Sequence, residues 1–443
     1  MSYDWKTDPF YDKKQIRITW IMIWNGSTET SWWIPEHYRG IEALVDGKFQ
    51  SIDWNNPRQL EEYFHQMRDA GIDVIASDLT NGLRWRSQTQ HVQRLCKEYG
   101  MKLCVAINHH GRPEEYEHSA KEIWEAYADP DSELGEAYFY KDGKPFIVDY
   151  CWFDEYERIR VQDTEYGRRF SHGWASGERA RKDKWGWQVE PQYGVIPSEE
   201  TMYITPSVNY DSPHTGNQVW RRSLAWMDYG FLVAEECQPR YLIAGSFDDV
   251  HERNGWLRCD SRHATPCWQM RDVTGAISVD VYYERVKTWL TKGHADPFFP
   301  GGTLRDGAYV LTVATYGHDF NVGPRENRYT HSPLRVKEPE GDIDTLYWLY
   351  HLGDDYYRIV KLNTGLSLEP TDDLNGSAIW QNYDNESYMQ QWKLVPGENG
   401  TYTLRNRVYP RVMALSPLGD VILANPDPAD ERQQWKLTPV RTL

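Results

Sequence analysis

Along the first two-thirds of the chain, short apolar runs alternate with amphipathic stretches. Residues 16–24, 73–78 and 102–108 predict the first three strands, each bounded by turn-forming residues. After Asn56 and Pro57, the residues Leu60, Phe64 and Met67 recur on one helical face until Gly71. A second helix is predicted over 91–99, closed by Gly100. Residues 145–150, 169–174, 202–207 and 241–247 predict four further strands, and 279–290 a closing helix. An eighth strand is expected at Gly230, Phe231, Leu232 and Val233. Serial strand–helix units of this length favour an α/β fold, a (β/α)8 TIM-like barrel over residues 1–292. In such a barrel the chemistry sits at the C-terminal ends of the strands, so the polar residues there are the candidates.

The pattern changes after a Pro/Gly-rich linker over 293–306. Residues 307–443 are β-rich and repeat. Gln390-Gln391-Trp392-Lys393-Leu394 and Gln433-Gln434-Trp435-Lys436-Leu437 are nearly identical, and Leu346-Tyr347-Trp348-Leu349 stands where a degenerate first copy would. Tyr309, Tyr357 and Tyr402 open the three copies. One such unit cannot bury its apolar face, whereas three around a pseudo-threefold axis can. These QxW repeats resemble ricin-type β-trefoil lectins, which implies a C-terminal all-β trefoil and carbohydrate binding. In that family an acid, an aromatic platform and an Asn make each sugar site, which implies Glu369, Tyr383 and Asn385 in the second copy. The third copy has Met413-Ala414-Leu415 and no acid, so it is expected to be silent.

Composition narrows the partners. Hydrophobic residues at 40% and charged residues at 26% fit a globular protein, and the formal charge of −17 argues against nucleic acid. No apolar run approaches the ~20 residues of a membrane span. The chain carries 21 Trp and 30 Tyr. Such rings stack on the flat C–H faces of sugars, so a polysaccharide or glycan is the expected partner. The six Cys show no metal-ligand spacing, and no metal or other cofactor is expected. Cys259 and Cys267 bracket a short loop that a disulfide could close. No apolar leader is seen, and a mature secreted or periplasmic form is expected because polysaccharides lie outside cells.

Cleaving a glycosidic bond usually takes two carboxyl groups, one to protonate the leaving oxygen and one to activate water or attack carbon. The apolar strand at 241–247 runs directly into Asp248-Asp249-Val250-His251-Glu252. Crowded carboxylates at a strand end favour retention of one proton, as a general acid requires. An acidic helix N-terminus is the bland alternative. This segment resembles the hallmark of the family 99 endo-α-mannosidases and family 71 α-1,3-glucanases among glycoside hydrolases. The resemblance implies Glu252 as general acid and Asp249 as base or positioning partner. The segment 143–150 resembles the fourth strand of these families, which implies that Asp149 faces the sugar. Family 99 enzymes carry a Glu-Pro-Tyr-like pattern after the third strand, where this chain has Ile107-Asn108-His109-His110. An inverting scheme with Asp249 or Asp149 as base is therefore expected.

Asp78, Asn108, His109, Trp24, Trp187, Asp211 and His251 are the candidate sugar contacts, with Asp211 also a reserve base. The expected function is hydrolysis of an α-linked polysaccharide or glycan. A catalytically silent sugar-binding barrel and a polysaccharide lyase, with His109 or His110 as base, are the alternatives.

Overall fold

A computed structural model describes residues 3–23, 41–108, 112–151, 163–175, 185–186, 197–206, 224–249, 255–264, 266, 269–315, 318–324, 330–337, 345–362 and 364–440. Among the described residues the N-terminal sheet has one short antiparallel edge strand, Tyr140–Lys141, and seven parallel strands: β1 (Ile16–Ile21), β2 (Val74–Asp78), β3 (Lys102–Ile107), β4 (Lys144–Tyr150), β5 (Ser171–Ala175), β6 (Thr201–Ile204) and β7 (Tyr241–Ser246). Their spatial order is β5-β4-β3-β2-β1-β7-β6, so the first strand sits in the middle and the sheet forms a half-barrel among the described residues. Every residue of β2, β3, β6 and β7 is buried, as expected for parallel strands covered on both faces.

The helices are α1 (Pro57–Asp69), α2 (Arg86–Tyr99), α3 (Pro113–Ile123), α4 (Leu224–Cys237) and α5 (Val281–Lys292). The Asn56 side chain caps α1 by accepting from the Arg58 N–H, and Pro57 occupies the first turn. Leu60, Phe64 and Met67 are buried, as their spacing predicts. The expected eighth strand is a correction: residues 230–233 lie inside α4. Ten of that helix's residues, from Leu224 to Ala234, are buried. A helix surrounded by protein has no polar face, so it loses the 3.6-residue signature and reads locally like a buried strand.

Twelve antiparallel strands make the C-terminal domain: β8 (Gly307–Thr315), β9 (His318–Pro324), β10 (Ser332–Lys337), β11 (Leu346–His351), β12 (Tyr356–Lys361), β13 (Ser367–Pro370), β14 (Ile379–Asn382), β15 (Gln391–Pro396), β16 (Tyr402–Asn406), β17 (Val412–Leu415), β18 (Val421–Ala424) and β19 (Trp435–Pro439). The first and fourth strands of each repeat pair around a closed ring, β8-β11-β12-β15-β16-β19 and back to β8. The middle strands form the hairpins β9–β10, β13–β14 and β17–β18. This is a β-trefoil. Its register identifies the anchor of the degenerate first copy as Tyr347. Tyr309 faces Tyr347 as Tyr357 faces Trp392 and Tyr402 faces Trp435. The Tyr347 hydroxyl donates to the Val322 carbonyl at 2.8 Å, while the Trp392 and Trp435 indoles donate to Leu368 and Met413 at 2.9 Å. All three anchors are fully buried. Trp348, next along the strand, belongs instead to the core cluster of the N-terminal domain.

The domains therefore share a core, and polar groups knit the junction. Asp228 of α4, fully buried, accepts from Arg285 Nε and Trp289 Nε1 of α5, both at 2.7 Å, and from the Tyr350 hydroxyl of β11 at 2.9 Å. Arg358 of β12, also fully buried, donates to the Thr274 carbonyl of the N-terminal domain at 2.8 Å. Gly275 has φ of 89°, and a β-carbon there would meet the Asn385 carbonyl oxygen at 1.9 Å. Only glycine permits this approach.

Asp306, just before β8, accepts from the His351 N–H through Oδ1 at 2.8 Å, while its buried Oδ2 meets no donor. Burial pushes its carboxyl up to about 6, against the pull of the His351 N–H and of Arg285. A carboxyl raised in the folded state keeps a proton that the unfolded chain releases. Its contribution to stability is whole below about pH 4 and is lost as pH rises through about 6. Asp306→Asn should therefore gain roughly 1–3 kcal/mol relative to wild type at pH 8, and almost nothing at pH 4. Denaturant titrations at both pH values check this; a difference independent of pH would contradict it.

Candidate functional site

The face of each parallel strand follows from its contacts. A β-carbon on Gly173 of β5 would run into Phe146 of β4 and into Trp185, and one on Gly186 would meet Trp20 and Ala175. The Trp185 and Tyr241 rings lie 5.0 Å apart. These residues therefore share the interior face. Alternation places Val148 and Tyr150 on it too, in register with Gly173 and Ala175. Asp78 pairs with Ala106, which pairs with Val148, so Asp78 faces the interior at the C-terminal end of β2. Its Oδ1 accepts from the Thr80 N–H at 2.8 Å, which shapes the following turn. Asn108 is partly buried and continues the interior alternation just past β3.

Asp149 falls on the other face, in register with Ile107 and Trp174. It is fully buried. Its Oδ2 lies 3.0 Å from His172 Nδ1, which is also 2.9 Å from the Tyr116 hydroxyl of α3. His172 Nε2 donates to the Gly167 carbonyl at 3.0 Å. Asp149 and Tyr116 thus both meet the Nδ1 edge of His172. The structure thus gives Asp149, a residue the resemblance aims at sugar, to the helix layer.

At the C-terminal end of β7 the ladder with β1 slips, with Ile18 opposite Ile243 but Trp20 opposite Ser246. Gly245, at φ of 34°, absorbs the extra residue. The carbonyls this bulge frees are satisfied: Thr19 Oγ1 donates to Ala244 and Gly245 at 2.9 and 3.1 Å, and Trp256 Nε1 donates to Ala244 at 3.0 Å. Beyond the bulge Phe247 turns toward Tyr63 and Trp256. Asp248 is completely buried: Oδ1 accepts from the Met22 N–H at 2.8 Å and Oδ2 from Trp54 Nε1. That carboxylate is a clamp, joining the ends of β1 and β7 to the segment before α1. Asp249 is 1% exposed, and its carbonyl accepts from the Gly255 N–H at 2.9 Å. Glu252, His251, His109, Trp24, Trp187, Asp211 and Cys267 lie outside the described residues. Cys259 is buried with Sγ 3.3 Å from Met270 Sδ.

The clamp went unforeseen in the sequence. Asp248 looked like one of two crowded acids, and nothing near Trp54 marks a partner 194 residues away. No group of three or more potential metal ligands occurs among the described residues.

In the trefoil, Glu369 is 4% exposed and accepts from Trp380 Nε1 at 3.1 Å, Asn382 Nδ2 at 2.6 Å and Gln390 Nε2 at 2.9 Å. Tyr383 is half-buried; its carbonyl accepts from Gln390 Nε2 at 2.7 Å. Asn385 Oδ1 accepts from the Ser387 N–H at 2.8 Å, and its carbonyl accepts from Arg358 at 2.9 Å. The groups that meet the acid are thus Trp380, Asn382 and Gln390, while the polar groups of Tyr383 and Asn385 shape the turn docked on Gly275.

Residues 345–422 match the family described as ricin-type beta-trefoil lectin domain-like. No curated protein matches the chain by sequence. Among solved structures, a designed three-fold symmetric protein is 22% identical over 30% of this chain and 100% of its own, with a TM-score of 0.29. An exo-beta-1,3-galactanase from Clostridium thermocellum is 20% identical over 32% of this chain and 31% of its own, with a TM-score of 0.29. This chain thus spans about a third of that enzyme's length. The GH99 endo-alpha-mannosidase from Bacteroides thetaiotaomicron is 14% identical over 62% of this chain and 96% of its own, with a TM-score of 0.43. The chain thus joins a parallel half-barrel sheet to a β-trefoil of which residues 345–422 match the ricin-type lectin-like family.

Replacing Asp248 by Ala strands two buried donors and should cost roughly 3–5 kcal/mol in denaturant unfolding. Trp54→Phe removes one donor and should cost about 1–3 kcal/mol. Losses below ~0.5 kcal/mol in both would contradict the clamp.

Proposed function

We propose that this protein is a glycoside hydrolase acting on an α-linked polysaccharide or glycan, with its catalytic centre at the end of β7 in a (β/α)8-type barrel. One observation carries the proposal: the bulge at Gly245 and the clamp on Asp248 hold Asp249 at the C-terminal rim of the parallel sheet, three residues before Glu252. Asp248 already clamps β1 to β7, and the chemistry is assigned to Asp249 and Glu252. Asp78 and Asn108, on the interior face of the same rim, are suited to accept and donate hydrogen bonds to sugar hydroxyls.

In this scheme Glu252 donates its proton to the glycosidic oxygen as the bond to the anomeric carbon breaks. Asp249 takes a proton from water as the water oxygen bonds to that carbon. Asp149, bonded to His172 on the helix-facing side, contributes to the rigidity of β4 and β5 and is not assigned a proton-transfer role. The trefoil would hold the enzyme on a polymer and raise its local concentration there. Secretion is consistent with such a substrate.

The test is a panel of α-linked polysaccharides and glycans, with released reducing ends and ultraviolet absorbance read together. Wild type should release reducing ends without an unsaturated chromophore. Glu252→Gln, which keeps shape but cannot donate a proton, should be slower by at least ~100-fold. An absorbing product would indicate elimination by a lyase. Binding without cleavage of any substrate would assign the barrel a lectin-like role.

A further inference from the structure

A second polar site lies at the opposite end of β1 from the Asp248 clamp. Arg17 is partly buried on the face of β1 that meets Gly71 and Thr291. Its nearest acid, Asp73, is already engaged: Oδ1 takes the Lys13 ammonium and Oδ2 takes the backbone N–H of Arg17 itself at 2.9 Å. Among the described residues the Arg17 guanidinium has no hydrogen-bond or ion-pair partner, and its Nε is completely buried. A buried N–H without an acceptor is costly, and the rest of the guanidinium stays open to a ligand from the solvent side.

A cavity of about 560 Å³ opens at this point between the N-terminal ends of β1 and β7 and the helices α4 and α5. Four cations line it, Lys13, Lys14, Arg17 and Lys292, against the two carboxylates of Asp73 and Glu235. In a chain of net charge −17, this local balance runs against the whole. Lys292 has a partner in Asp296 at 3.1 Å and stands in the last turn of α5, where the helix dipole alone explains a cation. That explanation does not reach Arg17, which is on a strand, or Lys14, which precedes β1. The rear wall includes Leu242 and the stacked pair Phe231 and Trp289, so the cavity offers apolar surface beside its charge.

We propose that this cavity is a binding site for a small ligand bearing a tetrahedral oxyanion, a phosphate or a sulfate, held by the Arg17 fork with Lys14 beside it. A guanidinium donates two parallel N–H bonds to such a group, which fits the unpaired state of Arg17. The site is separate from the catalytic proposal, because Arg17 and the Met22 end of β1 are at opposite ends of one strand.

Calorimetric titration of the full chain with inorganic phosphate, a hexose phosphate and a hexose sulfate tests it. Wild type should show saturable binding of at least one probe. Arg17→Gln should weaken it at least ~10-fold and Lys14→Gln by roughly 2–5-fold, with Lys48→Gln, which does not line the cavity, unchanged. A hexose ester binding more tightly than inorganic phosphate would identify an organic ester as the ligand; the reverse would identify the free oxyanion. Should Arg17→Gln not fold, Lys14→Gln decides, since Lys14 is exposed and its loss cannot disturb the core. Absence of saturable binding in wild type overturns the proposal, as does equal weakening in the Lys48 control.

Discussion

The architecture of the proposed catalytic rim depends on one buried carboxylate. Asp248 has no contact with solvent, and its two oxygens are committed to the Met22 backbone and the Trp54 indole. Through them the end of β7 is tied both to the end of β1 and to the segment that leads into α1. The neighbouring bulge would otherwise leave carbonyls unpaired, and Thr19 and Trp256 satisfy them. A strand end so over-determined can present the next residue, Asp249, in one orientation. Of the two adjacent acids, Asp248 is the one that holds this frame.

The junction between the domains follows the same logic. Asp228 alone connects α4, α5 and β11, and Arg358 reaches from the trefoil to a carbonyl of the N-terminal domain. Buried charges of this kind are tolerated because each is surrounded by partners. The approach at Gly275 brings the turn at Asn385 directly against the N-terminal domain. A trefoil mounted this way is part of the protein's frame, and the Trp348 side chain belongs to the same core as the parallel sheet.

Periodic elements were legible in the sequence, and long-range ones were not. The strands and α1 could be read because covered parallel strands are continuous apolar runs and because Asn56 and Pro57 mark a helix start. The trefoil could be read from its repeats, although only the ladder register shows that Tyr347 takes the anchor position. Helix α4 was misread because total burial removes the polar face that distinguishes a helix. At the site, the strand end was visible, but the clamping role of Asp248 depends on Trp54 and Met22, which are distant in sequence. The orientation of Asp149 toward His172 likewise follows from strand alternation, where one residue of register exchanges interior for exterior.

The central claim is that the rim at Asp249 hydrolyses a glycosidic bond with water. Digesting an α-glycan in water enriched in oxygen-18, with mass spectrometry of the new reducing ends, tests it most directly. Wild type should place one heavy oxygen on each new reducing end, and Asp249→Asn should yield none while still binding the glycan. Unlabelled products from wild type, or labelled products formed at an undiminished rate by Asp249→Asn, would contradict the account.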